Sequence, residues 1–346
     1  MTISRFSFLL VISISTISLG FIANDVSSTK DKINGVNFVA PVKKVSSDCM
    51  ESLQIINANW VALNPFIYGK SNDPNLQYNT SFQWWGETTE GTRETIRYAK
   101  QYNLKVLIKP HAWIQGEGWP GEYKLNNEAS WLIWEKNYEN YVLELAKVAE
   151  EEKAEMLALG TEWRKAVIER PLFWKQLIKK ARLIYNGKLT YAANWDNYEN
   201  ISFWEELDYI GIDAYFPLSE SITPSIDELT TKWQPIANKL SQYASIKRKP
   251  ILFTEYGYRS INYTSWKQWQ LPDGWLQNHD KNTNLIAQQN AYQALFETFW
   301  NKPWFAGGFI WKWHPKYQNA GGLNDNEYTP QNKPVEKLIK EVYSTN

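Results

Sequence analysis

The chain has 346 residues, 43% hydrophobic and 21% charged, and its 37 basic and 37 acidic side chains cancel at neutral pH. An ordinary globular core is within reach of that composition, and no basic excess exists to neutralise a phosphate backbone, so no nucleic-acid partner is expected. A single cysteine, Cys49, and three histidines rule out an internal disulfide and argue against a cysteine or histidine metal centre, so no metal or cofactor is expected.

Arg5 and the apolar run from Phe6 to about Ala23 predict an export signal or N-terminal anchor over residues 1–23, with Ser18 and Gly20 marking a weak cleavage site. Residues 24–32 read as a polar linker. The protein is expected to work outside the cytoplasm, secreted, periplasmic or anchored, with the membrane a partner only if the leader stays uncleaved. Nothing later resembles a transmembrane span. Residues 33–346 show no composition break and read as one domain, by default a monomer.

Eight short apolar or β-branched runs follow: 34–39, 59–68, 105–110, 155–163, 189–196, 208–216, 250–258 and 305–315. Helical patterns separate most of them. Asp48 and Glu51 predict a capped helix after the first run. Trp131, Trp134, Tyr138, Tyr141, Val142, Leu145 and Val148 form one face of a long helix. Trp174, Leu177, Ile178, Ala181 and Ile184 repeat that spacing, and Asn186-Gly187 predicts a left-handed cap. Leu229 to Leu240 gives another helix, with a kink expected at Pro235. Residues 284–300 and 334–343 supply two more. The segment 197–207 is too short for a full helix. Eight such units predict an α/β fold, a single (β/α)₈ TIM barrel with elaborated loops at its C-terminal face. An open doubly wound sheet would start with a Gly-rich phosphate turn, and none is present.

Barrel chemistry sits where strands end. The predicted strand ends carry Lys109, His111 and Trp113; Glu162; Asn194 and Asp196; Asp213 and Tyr215; Glu255; and Trp311 with Trp313. Alternation places Lys109, His111 and Trp113 on one face, and Trp311 with Trp313 on one face. Any one of these reads equally as the first solvated residue of a loop. Together they gather acids, cations and indoles on one rim. The first strand offers only Asn37. Glu162 and Glu255, ending the fourth and seventh strands, can meet across the mouth. A retaining glycosidase needs such a pair, one ionised as nucleophile and one protonated as acid/base, with carboxyls about 5–5.5 Å apart. Burial beside Trp163 would keep Glu162 protonated, and Tyr215 and Lys109 would support an ionised Glu255.

Trp and Tyr number 19 and 20, an excess that a ring-rich core explains in part. Such rings also offer flat apolar faces with polar tips, which suit sugars. Two long loops, 69–88 with Trp84 and Trp85, and 259–283 with Trp266, Trp269 and Trp275, are placed to shape a cleft or to cap the barrel mouth.

Several stretches carry a narrower likeness: "WWGETTEGTRETIRYAKQYNLKVLIKPHAW" (84–113), "LALGTEW" (157–163), "YAANWD" (191–196), "DYIGIDAYFPLS" (208–219), "FTEYGYRS" (253–260), "GGFIWKWHP" (307–315) and "YTPQNKP" (328–334). With these the chain resembles the family-113 glycoside hydrolases, whose characterised members are β-mannanases. The resemblance implies a retaining β-1,4-mannan or mannooligosaccharide hydrolase. It makes Glu162 the acid/base and Glu255 the nucleophile, with Tyr215 holding the nucleophile. Lys109, His111, Asn194, Asp196 and Trp311 would contact the sugar nearest the cut. Trp113 and Asp213 join the candidate substrate-binding set. The wider clan-A glycoside hydrolases, which the Glu162–Glu255 arrangement also resembles, usually place Asn before the acid/base; Thr161 stands there in this chain, so either its hydroxyl or another group such as Asn194 must serve. Alternatives are a hydrolase or transglycosylase for another β-glycan, such as glucomannan or β-glucan, and a non-catalytic sugar-binding barrel.

Overall fold

A computed structural model describes residues 32–269 and 283–345. The predicted leader, the linker except Lys32, and Trp275 lie outside the described residues. Eleven strands occur among those described: β1 (Ile33–Phe38), β2 (Trp60–Leu63), β3 (Phe66–Lys70), β4 (Asp73–Gln77), β5 (Lys105–Ile108), β6 (His111–Gln115), β7 (Met156–Thr161), β8 (Lys188–Asn194), β9 (Ile210–Asp213), β10 (Ile251–Tyr256) and β11 (Phe305–Trp313). Going round the ring, β1, β2, β5, β7, β8, β9, β10 and β11 pair in parallel and close into a barrel. The expected (β/α)₈ fold is therefore present. Helices α1 (Thr89–Gln101), α2 (Glu128–Glu151), α3 (Arg164–Glu169), α4 (Pro171–Arg182), α5 (Ile226–Lys247) and α6 (Leu285–Phe299) occupy crossovers, and α7 (Pro334–Ser344) follows the last strand.

One predicted run turns out to be two strands, and another ends where a second strand is about to begin. Residues 59–68 break at Asn64-Pro65, and 105–110 at Lys109-Pro110. Proline has no N–H for the ladder and so ends pairing in a central strand. Past each break the chain leaves the barrel, and the continuations β3 and β6 pair in parallel from Phe66 opposite His111 to Lys70 opposite Gln115. With antiparallel β4 they form a small sheet beside the mouth. Thus part of the predicted loop 69–88 is a strand.

Other local expectations need correction. The first crossover is a 3-10 helix, Ser47–Ile56, whose Ser46 cap makes no side-chain cap bond; that hydroxyl bonds Asp48 instead. Helix α4 stops at Arg182, before the predicted cap. Gly187 is not left-handed; a Cβ there would lie 2.1 Å from the Tyr185 hydroxyl oxygen, so close approach is what requires glycine. Helix α5 runs on through Pro235. The short fifth crossover contains two single 3-10 turns, Tyr198–Asn200 and Trp204–Glu206, as its length implied.

The barrel interior is divided. Ile33, Trp60, Leu107, Met156, Leu252 and Phe309 fill the end where strands begin. Polar side chains fill the end where they finish. Outside, a larger apolar layer joins strands to helices. Trp134, Trp163, Trp174, Trp204, Trp233, Trp300 and Trp313 are all fully buried, so much of the aromatic excess is packing material. Trp134 sits at the centre of one such cluster, stacked on Tyr138 at 5.1 Å and edge-on to Trp163 at 4.9 Å. Trp134→Ala is expected to destabilise the fold by about 3–5 kcal/mol. Leu183→Ala, at an exposed position, should change stability by no more than about 0.5 kcal/mol. Denaturant unfolding of the two variants compares them directly.

Candidate active site

Strict alternation would turn Thr254 and Glu255 to opposite faces of β10. Both instead point into the barrel. Phe253 packs outward on Phe299 and Phe305, and Tyr256 outward on Trp300. An extra residue in β10 makes this possible: Phe253 lies opposite Gly308, but Tyr256 lies opposite Ile310. The neighbouring pairing with β9 shifts at the same place. Such bulges re-aim side chains. Strand β7 has one too, with Ala158 opposite Thr190 but Thr161 opposite Ala192. In β11 the pairing passes from Trp311 opposite Asn37 to Trp313 opposite Phe38, and the Trp311–Lys312 peptide is cis.

Glu255 is 5% exposed. The Lys109 ammonium, itself fully buried, bonds Oε1. His111 Nε2 lies 3.3 Å from the same oxygen, and the Tyr215 hydroxyl donates to Oε2 at 2.8 Å. Burial opposes ionisation of Glu255, but the Lys109 charge, the His111 contact and the Lys109 bond together hold its carboxyl down to about 2. Burial and the Lys109 charge push His111 below its usual value, which favours neutral imidazole. Trp311 stacks on His111, with centroids 5.8 Å apart and planes 19° apart, and its ring lies 5.2 Å from Lys109 Nζ.

Glu162 follows β7 directly, in the left-handed region at φ 54. Non-glycine residues rarely adopt that conformation, and its strain often marks functional positions. Its N–H donates to Ala192 O at 2.8 Å, and the next N–H, of Trp163, donates to the Tyr191 hydroxyl at 2.8 Å. Asn194 Nδ2 donates to Glu162 Oε1 at 3.0 Å. Burial raises the Glu162 carboxyl well above its usual value, and the charges of Asp213 and Glu255 raise it further against the pull of Lys109. The Trp163 indole lies among Tyr123, Trp134 and Tyr138 in the layer under the helices.

The remaining candidates separate. Asp213 is fully enclosed; Thr254 donates to its Oδ1 at 2.8 Å, while Oδ2 has no bonding partner. Burial and the Glu255 charge raise Asp213 well above its usual value. It therefore supports the carboxyl cluster from beneath and has no open face for a sugar. Asp196 stays on the exposed rim, 3.4 Å from Arg164 Nη2. His111 and Trp113 share a face of β6, but Trp113 points out onto the small sheet. Trp311 and Trp313 do not share a face: Trp313 is buried outside the barrel and donates to Ser52 Oγ at 2.9 Å. The shift in register explains the difference. Thr161 turns its hydroxyl to Pro110 O at 2.9 Å, so Asn194 is the side chain that reaches Glu162. Sequence reading missed Thr254 and Tyr191. Nothing in the sequence marks the bulge that turns Thr254 inward, and Tyr191 reads as a plain strand aromatic.

Further aromatic groups surround the mouth. Exposed Trp269 stacks on Trp195 at 5.7 Å. Trp84 lines a cavity of about 860 Å³ with Lys312, His314, Asp325 and Glu327.

A search of curated proteins finds no match to the chain. Among solved structures, the GH113 β-mannanase AaManA from Alicyclobacillus acidocaldarius, in complex with ManMIm, superposes with a TM-score of 0.78 at 25% identity, over 91% of this chain and 98% of that one. A GH113 β-1,4-mannanase complex superposes at 0.74 with 24% identity, over 91% and 100%, a likeness of fold. A Faecalibacterium prausnitzii β-glucuronidase reaches 0.58 at 13% identity, over 93% of this chain and 51% of that one, again a likeness of fold alone. The model of Glycoside Hydrolase Family 113 matches residues 41–333, a span that takes in every residue of the carboxyl cluster. The chain belongs to Glycoside Hydrolase Family 113.

Proposed function

We propose that this glycoside hydrolase cleaves β-1,4-mannan or mannooligosaccharides with retention, using Glu255 as nucleophile and Glu162 as acid/base. One observation supports the assignment: two carboxyls share a site, Glu255 buried against a cation and Glu162 half-buried among acids, and these surroundings shift them in opposite directions. The Lys109 charge and the His111 and Lys109 contacts hold Glu255 down, which favours its carboxylate, while burial and neighbouring acids raise Glu162, which favours its protonated form. Mannan as the substrate rests on family membership and on the β-mannanase likeness.

In the first step Glu255 attacks the anomeric carbon. The glycosidic C–O bond breaks, and Glu162 gives its proton to the departing oxygen. In the second step Glu162 takes a proton from water, the water oxygen bonds the anomeric carbon, and the ester to Glu255 breaks. Two inversions give net retention. Tyr215 and Lys109 fix the plane of the Glu255 carboxylate. Asn194 steadies Glu162. Trp311 floors the position of the reacting sugar.

Glu255→Gln is expected to abolish turnover of every substrate. Glu162→Gln should slow mannan cleavage by about 10²–10⁴-fold. Aryl mannosides with good leaving groups should suffer less in the first step, because they need no proton. Wild-type rates in either variant reject the pair, and cellohexaose cleaved in preference to mannohexaose rejects the substrate.

Activity needs Glu255 ionised and Glu162 protonated, so the rate should fall at low pH as Glu255 gains a proton and at high pH as Glu162 loses one. Lys109→Met removes the charge holding Glu255 down and should move the acidic limb to higher pH. An unmoved limb in the pH–rate profile removes Lys109 from that role.

Glu162 also links stability to pH. Below about 4.3, the unfolded value, folded and unfolded chains both carry its proton. Above it the unfolded chain ionises while the raised folded carboxyl does not, so the wild type loses stability as pH climbs toward the folded value. Glutamine never ionises. Glu162→Gln should therefore melt above wild type near pH 7, with the gap closing toward pH 4. Equal melting at both pH values contradicts the raised carboxyl.

A further inference from the structure

The small sheet has one covered face and one open face. Ile67, Leu76, Ala112 and Ile114 are buried on the inner side. Along β6 the opposite side chains are His111, Trp113 and Gln115; on β3 they include Tyr68 and Lys70, and Gln77 on β4 lies opposite Tyr68. Phe82 reaches over this face, which lines a cavity of about 490 Å³. Trp113 and Phe82 are 52% and 64% exposed. A single exposed ring needs no explanation. These two share one cavity, with amide, ammonium and carboxylate groups set between them.

The face is also continuous with the catalytic centre. Ring centroids run from His111 to Phe66 at 5.2 Å, from Phe66 to Tyr68 at 6.1 Å, and from Tyr68 to Phe82 at 5.6 Å. The Tyr68 hydroxyl donates to Glu87 Oε2 at 2.7 Å, which anchors the middle ring. His111, which touches Glu255, is the first residue of the strand that also carries Trp113 and Gln115. At about 3.3 Å per residue those two stand roughly 7 and 13 Å further out. Rings for the C–H faces of sugars, with donors and acceptors between them for hydroxyls, lie along a line that starts at the nucleophile.

We propose that the open face of the β3–β4–β6 sheet is an extended glycan platform. It holds distal residues of the same β-mannan chain whose reacting residue lies over Glu255, and so it favours long substrates over short ones. This deepens the mannan-hydrolase reading and rests on it. Continuity with the mouth is what selects a glycan as occupant.

The test is the double variant Phe82→Ala/Trp113→Ala. Its KM for linear mannan and for mannotriose is compared with the parent's, together with its retardation in gels containing mannan. The expected result is about a tenfold rise in KM on the polymer, equivalent to about 1.4 kcal/mol. The rise should be smaller on mannotriose, kcat on the polymer should be little changed, and gel retardation should be lost. Trp113→Phe should recover part of the loss, since a ring remains. If the parent cleaves mannan and the double variant keeps its KM and retardation, the platform is overturned while the hydrolase reading stands. If the parent binds mannan in the gel without cleaving it and the variant does not bind, the hydrolase reading falls and the platform survives. A parent that neither cleaves nor binds mannan overturns both.

Discussion

One buried ammonium, Lys109, faces three enclosed or half-buried carboxyls: Glu255, Asp213 and Glu162. In a poorly solvated site one positive charge cannot hold three negative ones. Proximity decides which acid it holds. Glu255 pairs with the ammonium directly and is held down, while burial first, and then the neighbouring negative charge, push the other two up. The division of labour proposed for Glu255 and Glu162 needs only this difference in surroundings and no chemically different residues. Lys109 owes its place to the proline after it. Pro110 ends the barrel ladder just beyond β5, and the chain then turns out to begin β6 at His111, the second contact on Glu255.

The aromatic layer outside the barrel serves the same site. Glu162 sits in a conformation that a glutamate adopts only under constraint. The constraint comes from behind. Trp163 is clamped among Trp134, Tyr138 and Tyr123, and its N–H is held by Tyr191, itself packed on Trp174. Rings packed outside the barrel therefore help to hold Glu162 in place. This is a supporting shell of the kind a precise site needs. It gives the ring-rich core that composition allowed for a part in placing the site.

Much of this was legible in the sequence. Strand–helix rhythm revealed the barrel, and the rule that chemistry gathers at strand ends picked out Glu162, Glu255, Lys109, His111, Asn194, Tyr215 and Trp311, which the structure brings together. What stayed hidden had a common cause. Alternation assumes a regular ladder, so it could not place Thr254 beside Glu255, nor part Trp311 from Trp313. Asp213 looked like a rim acid because its spacing is that of a rim acid; only packing shows it enclosed. The small sheet was hidden by reading each strand through its proline. The caps at Asp48 and Gly187 failed because local propensity yielded to tertiary packing.

The three bulged strands have a consequence for how the site tolerates changes in chain length. In a regular ladder the face a residue shows is a matter of odd or even count. Here the count changes parity in β7, β10 and β11, close to where Glu162, Glu255 and Trp311 stand. A substitution within these segments alters one side chain. Loss or gain of one residue just before the bulge of β10 would leave composition and hydrophobicity nearly intact, yet turn Glu255 toward the helices and Tyr256 toward the sugar. The site is therefore written in residue counts as much as in residue types.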